Sequence, residues 1–476
     1  MAEYFKVVRN RAGRLFSAFI KSPFDLEYIP GQWTEARIGG SSSQSAPRGF
    51  VRIQALNYRS LRYVSRSLSG FHVLVGPNAS GKSTFLDVPA FLGDFVRAGI
   101  TAAVEGDTRL GIPHRAPDAK QITWMRDKST FEMAVEAAIP SERRGRLKNG
   151  HIDVCRYEIA VDVSGPLRVV SENLWLRPLE SSSFQSKDAL QQTLFPDPPA
   201  PPPSIVQRPK KRAPAGWKKV VDRGDEPERV MFFSETSGWN NPFRVAGDRA
   251  ALASLAEDEE RFPVATWFRK FITEGVQRIM LSSEAMRLPS PPGRAKGYLP
   301  DGSNLPWVVH ALERDHPGKL DEWTQHLREA LPDVKGIETR EREEDRHRYL
   351  VLHLANGLAI PSWLVSDGTL RLLALTLLAY IPGLSGVYLI EEPENGIHPR
   401  AVETAYQSLS SVYGAQLLLA THSPVILSMA EPEKLLCFAR DASGATDIVA
   451  GNEHPQLDQW LRTLDLGTLF ASGVLG

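Results

Sequence analysis

The segment Gly76–Thr84, with the sequence GPNASGKST, restricts what this chain can fold into more than any other stretch. It follows the apolar run Phe71–Val75 and precedes Phe85–Val96, whose apolar residues recur at helical spacing. A strand, a glycine-containing loop and a helix in this order are the context in which G-x-x-x-x-G-K-S/T wraps a phosphate chain. The glycines let backbone N–H groups point inward, and the helix N-terminus adds its dipole. The sequence therefore predicts binding of a nucleoside triphosphate.

Two side chains of this segment have expected chemical roles. The Lys82 ammonium would reach the β- and γ-phosphates, and the Ser83 hydroxyl would ligate Mg²⁺. A glycine- and serine-rich turn that binds nothing is the alternative, but it leaves the flanking strand and helix unexplained. The residues expected to contact the nucleotide are Gly76, Pro77, Asn78, Ala79, Ser80, Gly81, Lys82, Ser83 and Thr84.

A pair of carboxylates ends the apolar run Val387–Ile390. Glu391 and Glu392 follow this run directly and precede Pro393 and Glu394. Adjacent acids at a strand end place one side chain near Mg²⁺ and the next near the attacking water. We expect Glu391 to hold the metal through a water, and Glu392 to orient or deprotonate the nucleophile.

A histidine and a glutamine are further candidates near the phosphates. His422 follows the apolar strand Gln416–Leu419, one strand–helix–strand unit after the acidic pair, and is expected to hydrogen-bond the γ-phosphate. Gln121 precedes Ile122 in a polar stretch and would reach the metal from a loop. A solvated side chain is the alternative for Gln121.

The segment Ser366-Asp367-Gly368-Thr369 opens an apolar helix, Leu370–Tyr380. Serine is a good N-cap, Gly368 permits close backbone approach, and the exposed N–H groups of the helix form a second anion site. An ordinary capped helix is the alternative. Because the chain already has a phosphate loop, a second anion site suggests that each protomer completes the pocket of another copy.

Together these motifs resemble the ABC-type ATPases of the SMC/RecF kind. In that family, Ser366–Thr369 matches the signature motif and Asn395–His398 matches the loop after the acidic strand. The segments SDGTLR, IEEPENGIHP and THSP are similar in sequence to the corresponding motifs of AAA/OLD-like ATPases from bacterial anti-phage systems, the PtuA-like subfamily. Two positions depart from the family pattern, because Ala79 replaces the usual glycine and Glu391 the usual aspartate. The stretches that carry the resemblance are about 50–100 and 300–430.

The resemblance implies an α/β fold. The expected architecture is a P-loop ABC-type ATPase head with a mixed sheet, an antiparallel β subdomain and an inserted, largely α-helical region. It also implies a head-to-tail homodimer, or a higher oligomer, that sandwiches two ATP molecules with Mg²⁺ as cofactor. In this arrangement the site of one subunit would face Ser366 and Gly368 of the other; its residues are Lys82, Ser83, Glu391, Glu392 and His422.

Composition and hydropathy narrow the class of protein. Lys+Arg and Asp+Glu both total 56, so no global positive field attracts nucleic acid. Cys155 and Cys437 are too few for a disulfide framework and lack metal-ligand spacing. The N-terminus shows no signal peptide, and the apolar stretch Leu372–Ile390 is broken by Pro382-Gly383. We expect a soluble cytoplasmic protein that makes no membrane contact.

Shifts in composition divide the chain into five regions. GGSSSQSA near residue 40 has a flexible-linker composition, and the prolines at 196–203 form a stiff, polyproline-like run that is not expected to belong to a packed element. From Asp248 to Met286 the apolar pattern predicts helix. The expected regions are an N-terminal appendage (1–48), a lobe with the phosphate loop (49–180), an insertion (181–335) with a Pro-rich basic linker at 194–225, a C-terminal lobe (336–440) and a tail (441–476).

We expect an ATP-hydrolysing switch in an anti-phage complex. The segment after His422 is too short for the nuclease domain of OLD-type proteins, so a nuclease effector would be a separate chain. A RecF-like DNA repair ATPase that binds DNA directly and a nucleotide-gated scaffold with little turnover are the alternatives. The basic stretch Arg208–Lys219, with Trp217 inside it, is a candidate nucleic-acid contact, and a solvated insertion is its alternative.

Overall fold

The computed structural model describes residues 8–9, 15–16, 49–147, 151–179, 200–208, 213–224, 226, 228–293 and 297–453. The chain divides into two units, Met1–Ser45 and Ala46–Gly476. In the first unit, two strands pair antiparallel, β1 (Val8–Arg9) and β2 (Leu15–Phe16). The remainder of the predicted appendage and the end of the predicted tail lie outside the described residues.

The strands of the second unit, in chain order, are β3 (Phe50–Tyr58), β4 (Leu61–Ser67), β5 (Phe71–Val75), β6 (Thr130–Ala138), β7 (Val154–Asp162), β8 (Arg168–Arg177), β9 (Lys218–Arg223), β10 (Arg229–Phe233), β11 (Asn240–Arg244), β12 (Val276–Ile279), β13 (Val334–Glu341), β14 (Arg348–Leu354), β15 (Ala359–Pro361), β16 (Val387–Glu391), β17 (Gln416–Ala420), β18 (Leu435–Arg440) and β19 (Thr446–Ala450). The helices are α1 (Lys82–Ala98), α2 (Ile100–Glu105), α3 (Ser141–Arg144), α4 (Pro263–Glu274), α5 (Ser283–Arg287), α6 (Leu305–Asp315), α7 (Pro317–Ala330), α8 (Asp367–Leu377), α9 (Pro399–Ser410) and α10 (Pro424–Met429).

A mixed sheet with the strand order β12-β16-β17-β5-β18-β19 carries the phosphate loop. Its first five strands are parallel, and β19 returns antiparallel to β18. Every residue of β5 is buried, as expected for a parallel strand covered on both faces. Leu74 packs into the core that contains α1, while Val73 and Val75 pack into the core that contains α8 and α9. The carboxyl ends of β5, β16 and β17 therefore lie side by side at one edge of the sheet.

An antiparallel sheet with the order β11-β10-β9-β8-β7-β6-β3-β4 forms the second layer. Apolar side chains such as Ile53, Phe131 and Tyr157 point from this sheet into the core that it shares with α1 and α4. A third, small sheet, β13-β14-β15, contains a hairpin that turns at Asn356-Gly357. The predicted fold class, a P-loop ATPase α/β head with a mixed sheet and an antiparallel β subdomain, is confirmed.

The predicted insertion contains more strand than its sequence pattern indicated. The stretch Asp248–Met286 is not continuous helix, because Gly275 ends α4 and β12 follows it into the mixed sheet. Residues 218–223, 229–233 and 240–244 form β9, β10 and β11 of the antiparallel sheet. Lys218 and Lys219 therefore lie in a strand rather than in a basic loop, and Lys219 pairs with Asp222. The outer part of the predicted basic stretch, residues 209–212, lies outside the described residues.

The segment directly after the proline run packs against the sheet, whereas Pro201 and Pro203 themselves are exposed. Ile205 and Val206 are buried, and their N–H groups donate to the Glu132 carboxylate at 2.7 and 3.3 Å. Arg156 donates to the Ile205 carbonyl at 2.9 Å. This segment covers a charged face of the antiparallel sheet, where Arg156 also pairs with Glu136 at 2.9 Å. Buried carboxylates of this kind need such donors, and the sequence pattern does not reveal them.

The apolar stretch that resembles a membrane span belongs to the core. It comprises α8, a short turn and β16, as predicted from Pro382-Gly383. Among the described residues, no helix combines the length and the apolar character that crossing a bilayer requires.

The fold predicts a steric requirement between the phosphate-loop helix and α4. A Cβ atom on Gly93 would lie 2.4 Å from the Ile272 carbonyl oxygen. Gly93→Ala is therefore expected to lower the free energy of unfolding by about 1–3 kcal/mol through overpacking. In the control Gly318→Ala, the added methyl group meets nothing within 4 Å, and the free energy of unfolding should stay the same or rise. Urea denaturation measures both; equal stabilities for the two variants would contradict the close approach of α1 and α4.

Candidate functional site

The phosphate loop is shaped by the hairpin β18–β19, which packs directly over it. Gly76 has a φ of +150°, and a Cβ there would lie 2.2 Å from the Phe438 carbonyl oxygen. Gly81 has a φ of +107°, and a Cβ there would lie 2.1 Å from the Thr446 hydroxyl. Glycine at both positions is thus required by conformation and by space. The predicted tail region, which begins at residue 441, therefore supplies part of the loop's framework.

Ala79 adopts the left-handed conformation, with a φ of +62°, where the related proteins usually have glycine. A non-glycine residue in this region costs about 1–2 kcal/mol. Arg440, at the end of β18, donates its Nε hydrogen to the Ala79 carbonyl at 2.8 Å and so holds the strained residue in place. The departure from glycine is tolerated in this structure.

The loop leaves hydrogen-bond donors available for an anion. Helix α1 begins at Lys82 with Gly81 as its N-cap, so no side chain caps its first turn. The hydroxyl of Ser80 is buried and has no hydrogen-bond partner. Uncapped N–H groups at a helix N-terminus, together with an unpartnered hydroxyl, fit phosphate oxygens.

Lys82 lies at the centre of the site. Its Nζ donates to the carbonyls of Gly76 at 2.7 Å and Pro77 at 3.0 Å, and to His422 Nε2 at 2.9 Å. Burial lowers the pKa of Lys82 to about 8, although the nearby Glu392 and Glu391 oppose the shift. Burial and the Lys82 charge lower the pKa of His422. His422 therefore accepts from Lys82 as a neutral imidazole.

Glu391 is held at both carboxylate oxygens. The Ser83 hydroxyl donates to Oε2, and Arg278 Nη2 donates to Oε1 at 3.0 Å. Arg278 comes from the edge strand β12, which pairs in parallel with β16. Sequence analysis missed it, although Gly275 followed by the β-branched residues Val276 and Ile279 signals the end of a helix and the start of a strand.

Glu392 occupies a strained position directly after β16. Its φ is +49°, and its N–H donates to the Ala420 carbonyl at 2.8 Å. Its carboxylate lies 3.5 Å from His422 Nε2. Burial and the negative charge of Glu394 raise the pKa of Glu392 to about 7. A glutamate whose backbone is held in the left-handed conformation, with its N–H on the Ala420 carbonyl and its carboxylate near His422, indicates a functional position.

Glu394 is a third carboxylate to which the sequence analysis gave no role. Its Oε1 accepts from the Thr421 hydroxyl at 2.6 Å and from the His422 N–H at 3.0 Å. Its Oε2 is buried and has no hydrogen-bond partner. Glu394 therefore joins the loop after β16 to the loop after β17 and fixes the backbone of His422.

The signature segment forms a second, separate face. Ser366 caps α8 by accepting from the Thr369 N–H at 3.2 Å, and Asp367 pairs with Arg287 at 2.6 Å. A Cβ on Gly368 would lie 2.5 Å from the Gly396 carbonyl oxygen, so the loop after the acidic strand packs against the start of α8. Among the described residues, no hydrogen bond or ion pair joins this segment to the phosphate loop.

Gln121 lies in a 3₁₀ turn, Ala119–Ile122, between α2 and β6, and its side chain is exposed. The turn is tied to the β3–β4 connection, because the Arg59 N–H donates to the Ile122 carbonyl at 2.8 Å. Its role at a metal stays a prediction. In this structure the side chains of Ser83 and Arg278 contact Glu391.

The hydroxyl of Ser83 and the carboxylate of Glu391 are oxygen ligands of the kind that a hard divalent cation prefers. Mg²⁺ at nucleotide sites is held by one or two carboxylates or hydroxyls and by the phosphates themselves. Ser83 and Glu391 already lie in hydrogen-bond contact and provide such a pair. Within the described residues, no cluster of three or more His, Cys, Asp or Glu side chains could hold a metal ion.

The fold and these loops define a P-loop ATPase head, in which the phosphate loop, the acidic strand end and a histidine meet at one edge of a mixed sheet. A model of the family described as "AAA domain, putative AbiEii toxin, Type IV TA system" matches residues 156–428. The match covers more than half of the 476 residues, so the chain belongs to this family. It begins after the phosphate loop and includes the signature segment, the acidic strand end and His422.

Solved structures of SMC heads show a general likeness to this chain. An SMC head bound to the C-terminal winged-helix domain of ScpA has 13% identity and a TM-score of 0.49, and the match covers 84% of this chain and 97% of that one. An Smc head of Pyrococcus furiosus, bound to the C-terminal domain of ScpA, has 12% identity, coverage of 87% and 100%, and a TM-score of 0.45. The Thermotoga maritima SMC head has 11% identity, coverage of 84% and 98%, and a TM-score of 0.38. Because the identities are 11–13% and all three TM-scores lie below 0.5, these similarities say nothing about the function of this chain. No curated protein matches the chain.

The raised pKa of Glu392 predicts how stability depends on pH in the nucleotide-free protein. Its pKa in the folded state, about 7, lies above the ordinary value of 4.5, so the folded state binds more protons between these pH values. The free energy of unfolding that depends on Glu392 therefore falls as pH rises from 4.5 to 7. Glu392→Gln removes this titration, so its stability relative to wild type should increase across that window.

Urea denaturation of both proteins between pH 5 and pH 8 measures the difference. The exposed Glu433→Gln is the control for removal of a carboxylate outside the site. A stability difference between Glu392→Gln and wild type that does not change with pH would contradict the assigned environment of Glu392.

Proposed function

We propose that the chain is an ATP-hydrolysing switch of the ABC type. The observation that carries this proposal is the convergence of Lys82, Ser83, Glu391, Glu392 and His422 at one sheet edge. These side chains come from three loops that are distant in sequence, and the structure joins them through hydrogen bonds and short contacts. Such a convergence of a phosphate loop with acids and a histidine supports triphosphate hydrolysis better than triphosphate binding alone.

Each group has a role that its chemistry supports. The uncapped N–H groups of α1 and the Lys82 ammonium bind the phosphates, and Ser83 and Glu391 hold Mg²⁺, which neutralises phosphate charge when bound. Glu392, with its raised pKa, accepts a proton from the attacking water or orients it. His422 approaches the γ-phosphate as a neutral hydrogen-bonding group next to Lys82. Because Lys82 bonds the Gly76 carbonyl and His422 in this structure, nucleotide binding requires it to exchange these partners for phosphate oxygens.

A second copy of the chain would complete the site through the signature face. Ser366 is exposed, and two large apolar side chains directly before it are also exposed, Trp363 at 44% and Leu364 at 72%. The ring of Trp363 packs on the ring of Tyr349, with centroids 4.9 Å apart, and this contact holds the exposed indole in position. Exposed apolar groups beside an anion site fit burial against a partner rather than permanent exposure to water.

The switch is proposed to act on a separate effector in bacterial defence against phage. The family description names a putative toxin of a Type IV toxin–antitoxin system, and the resemblance of the motifs to anti-phage ATPases points in the same direction. ATP-driven closure and hydrolysis-driven opening would change the surface that the effector meets. Cleavage of DNA by the purified chain with Mg²⁺ alone would contradict the assignment of the nuclease to a separate protein.

Lys82→Ala tests triphosphate binding. Because a hydrogen bond to a charged group contributes about 1.5–3 kcal/mol, loss of the ammonium should weaken ATP binding about 10-fold or more. Titration with a fluorescent ATP analogue measures the affinity, and Lys319→Ala on the surface of α7 is the matched control. An unchanged affinity in Lys82→Ala would refute the proposed phosphate site.

Glu392→Gln tests hydrolysis and dimer formation together. Turnover should fall about 10²- to 10⁴-fold, the usual contribution of a general base, and the ATP-bound dimer should accumulate. Sedimentation velocity with saturating ATP measures the dimer. Adding Leu364→Ser should abolish it, whereas adding Tyr413→Ser, which removes an even more exposed large side chain outside the signature face, should not. A Glu392→Gln protein that stays monomeric with ATP bound would count against the sandwich arrangement.

A further inference from the structure

Arg278 lies outside every motif of the sequence, yet it is the side chain that fixes the metal-side carboxylate. It is the third residue of β12, and its backbone is held against Leu389 by parallel pairing with β16. Its Nη2 lies 3.0 Å from Glu391 Oε1, and its Nη1 lies 3.9 Å from Asp87 Oδ1. Arg278 thus reaches one acid at the end of a strand and another on α1.

The contact with Asp87 does not explain why Arg278 is present. Asp87 is buried and is already satisfied by Arg115, whose Nε lies 2.9 Å from Oδ1 and 3.1 Å from Oδ2, and by the Tyr58 hydroxyl at 2.5 Å. Arg59 lies 3.4 Å from the same carboxylate. Asp87 therefore keeps its partners when Arg278 is replaced, and the closer contact of Arg278 is with Glu391.

Arg278 restricts how Glu391 can bind a cation. With Oε1 accepting from the guanidinium, only Oε2 remains on the side of Ser83. A carboxylate held in this way presents one oxygen in a fixed direction, as outer-shell partners of metal ligands generally ensure. The positive charge also offsets part of the repulsion that Glu391, Glu392 and Glu394 exert on a triphosphate.

The same geometry accounts for glutamate rather than the shorter aspartate at position 391. Glu391 spans from the end of β16 to Ser83 on α1 and to Arg278 on β12. Aspartate is shorter by one methylene group, about 1.5 Å. An aspartate at position 391 would therefore lose at least one of these contacts without movement of the backbone.

We propose that Arg278 is a positioning residue that holds Glu391 Oε1, so that Oε2 and Ser83 bind Mg²⁺ in the presence of a triphosphate. This role rests on the proposed ATP site, and it makes Arg278 the residue that sets how strongly nucleotide binding depends on Mg²⁺. Arg278 acts through Glu391 and needs no contact with the nucleotide.

The test follows binding of a fluorescent ATP analogue, first in EDTA and then with increasing Mg²⁺. In Arg278→Gln, the Mg²⁺ concentration at half-maximal enhancement of binding should rise about 10- to 100-fold, the usual effect of removing an outer-shell partner. Arg278→Lys keeps the charge but lacks the planar fork, so binding in EDTA should match wild type and the Mg²⁺ midpoint should rise less. Arg314→Gln, an exposed position on α6, is the control for loss of one positive charge.

A double-mutant cycle shows whether Arg278 acts through Glu391. In the Glu391→Gln background, Arg278→Gln should cause little further change in the Mg²⁺ midpoint. An unchanged midpoint in Arg278→Gln, or an equal shift in the Glu391→Gln background, would overturn the inference while the ATP site stands. Wild-type protein that binds no nucleotide under either condition would overturn the proposed function and this inference with it. Thermal melting of the variants verifies folding, and Arg278→Lys keeps the test valid if Arg278→Gln does not fold.

Discussion

Parallel pairing among β16, β17 and β5 is the constraint on which the site depends. The register places Glu391 opposite Ala420, and Ala420 opposite Leu74. Because all three strands run in the same direction, the residues that follow them emerge at one edge within a few ångströms of one another. Lys82, Glu392 and His422 meet for this reason, although more than 300 residues separate Lys82 from the other two. A shift of one residue in this register would turn the side chains to the opposite face.

The charged side chains at this edge are linked to one another, because Lys82 contacts His422, and both Ser83 and Arg278 contact Glu391. Three glutamates face one lysine, one arginine and a neutral histidine, and Lys82 and Glu392 have their pKa values moved toward neutrality, mainly by burial. The strain at Ala79 and Glu392 is held by Arg440 and by the Ala420 carbonyl. These features fit the proposed binding of a triphosphate together with Mg²⁺.

The two faces of the molecule differ in what they leave exposed. The phosphate-loop edge presents uncapped donors and charged groups, whereas the signature face presents a capped helix start with apolar groups around it. The signature face is held by specific contacts, because Arg287 pairs with Asp367 and Gly396 packs on Gly368. In the proposed sandwich of two copies, these two faces would meet, and the state of one site would then affect the other.

The sequence by itself determined the strand–loop–helix of Gly76–Thr84, the acidic strand end and the capped start of α8, because local spacing and turn chemistry encode them. The expected fold class followed from the resemblance of these motifs to ABC-type ATPases. The sequence did not reveal β12 within a stretch of helical pattern, nor the packing of Ile205 and Val206 on buried charges. The packing of Ile205 and Val206 depends on residues far away in the chain, which no local pattern records, and the short signal for β12 is obscured by the helical pattern around it.

Only the tertiary structure decided which side chains meet. Glu394 is one of many glutamates until β17 brings Thr421 and His422 to it, and Arg278 is one of many arginines until β12 pairs beside β16. The glycines of the phosphate loop signal a tight turn, but the hairpin β18–β19 is what excludes any side chain at Gly76 and Gly81. The sequence thus specifies the chemical groups, and strand pairing specifies their distances, because contacts between distant segments form only when the sheet assembles.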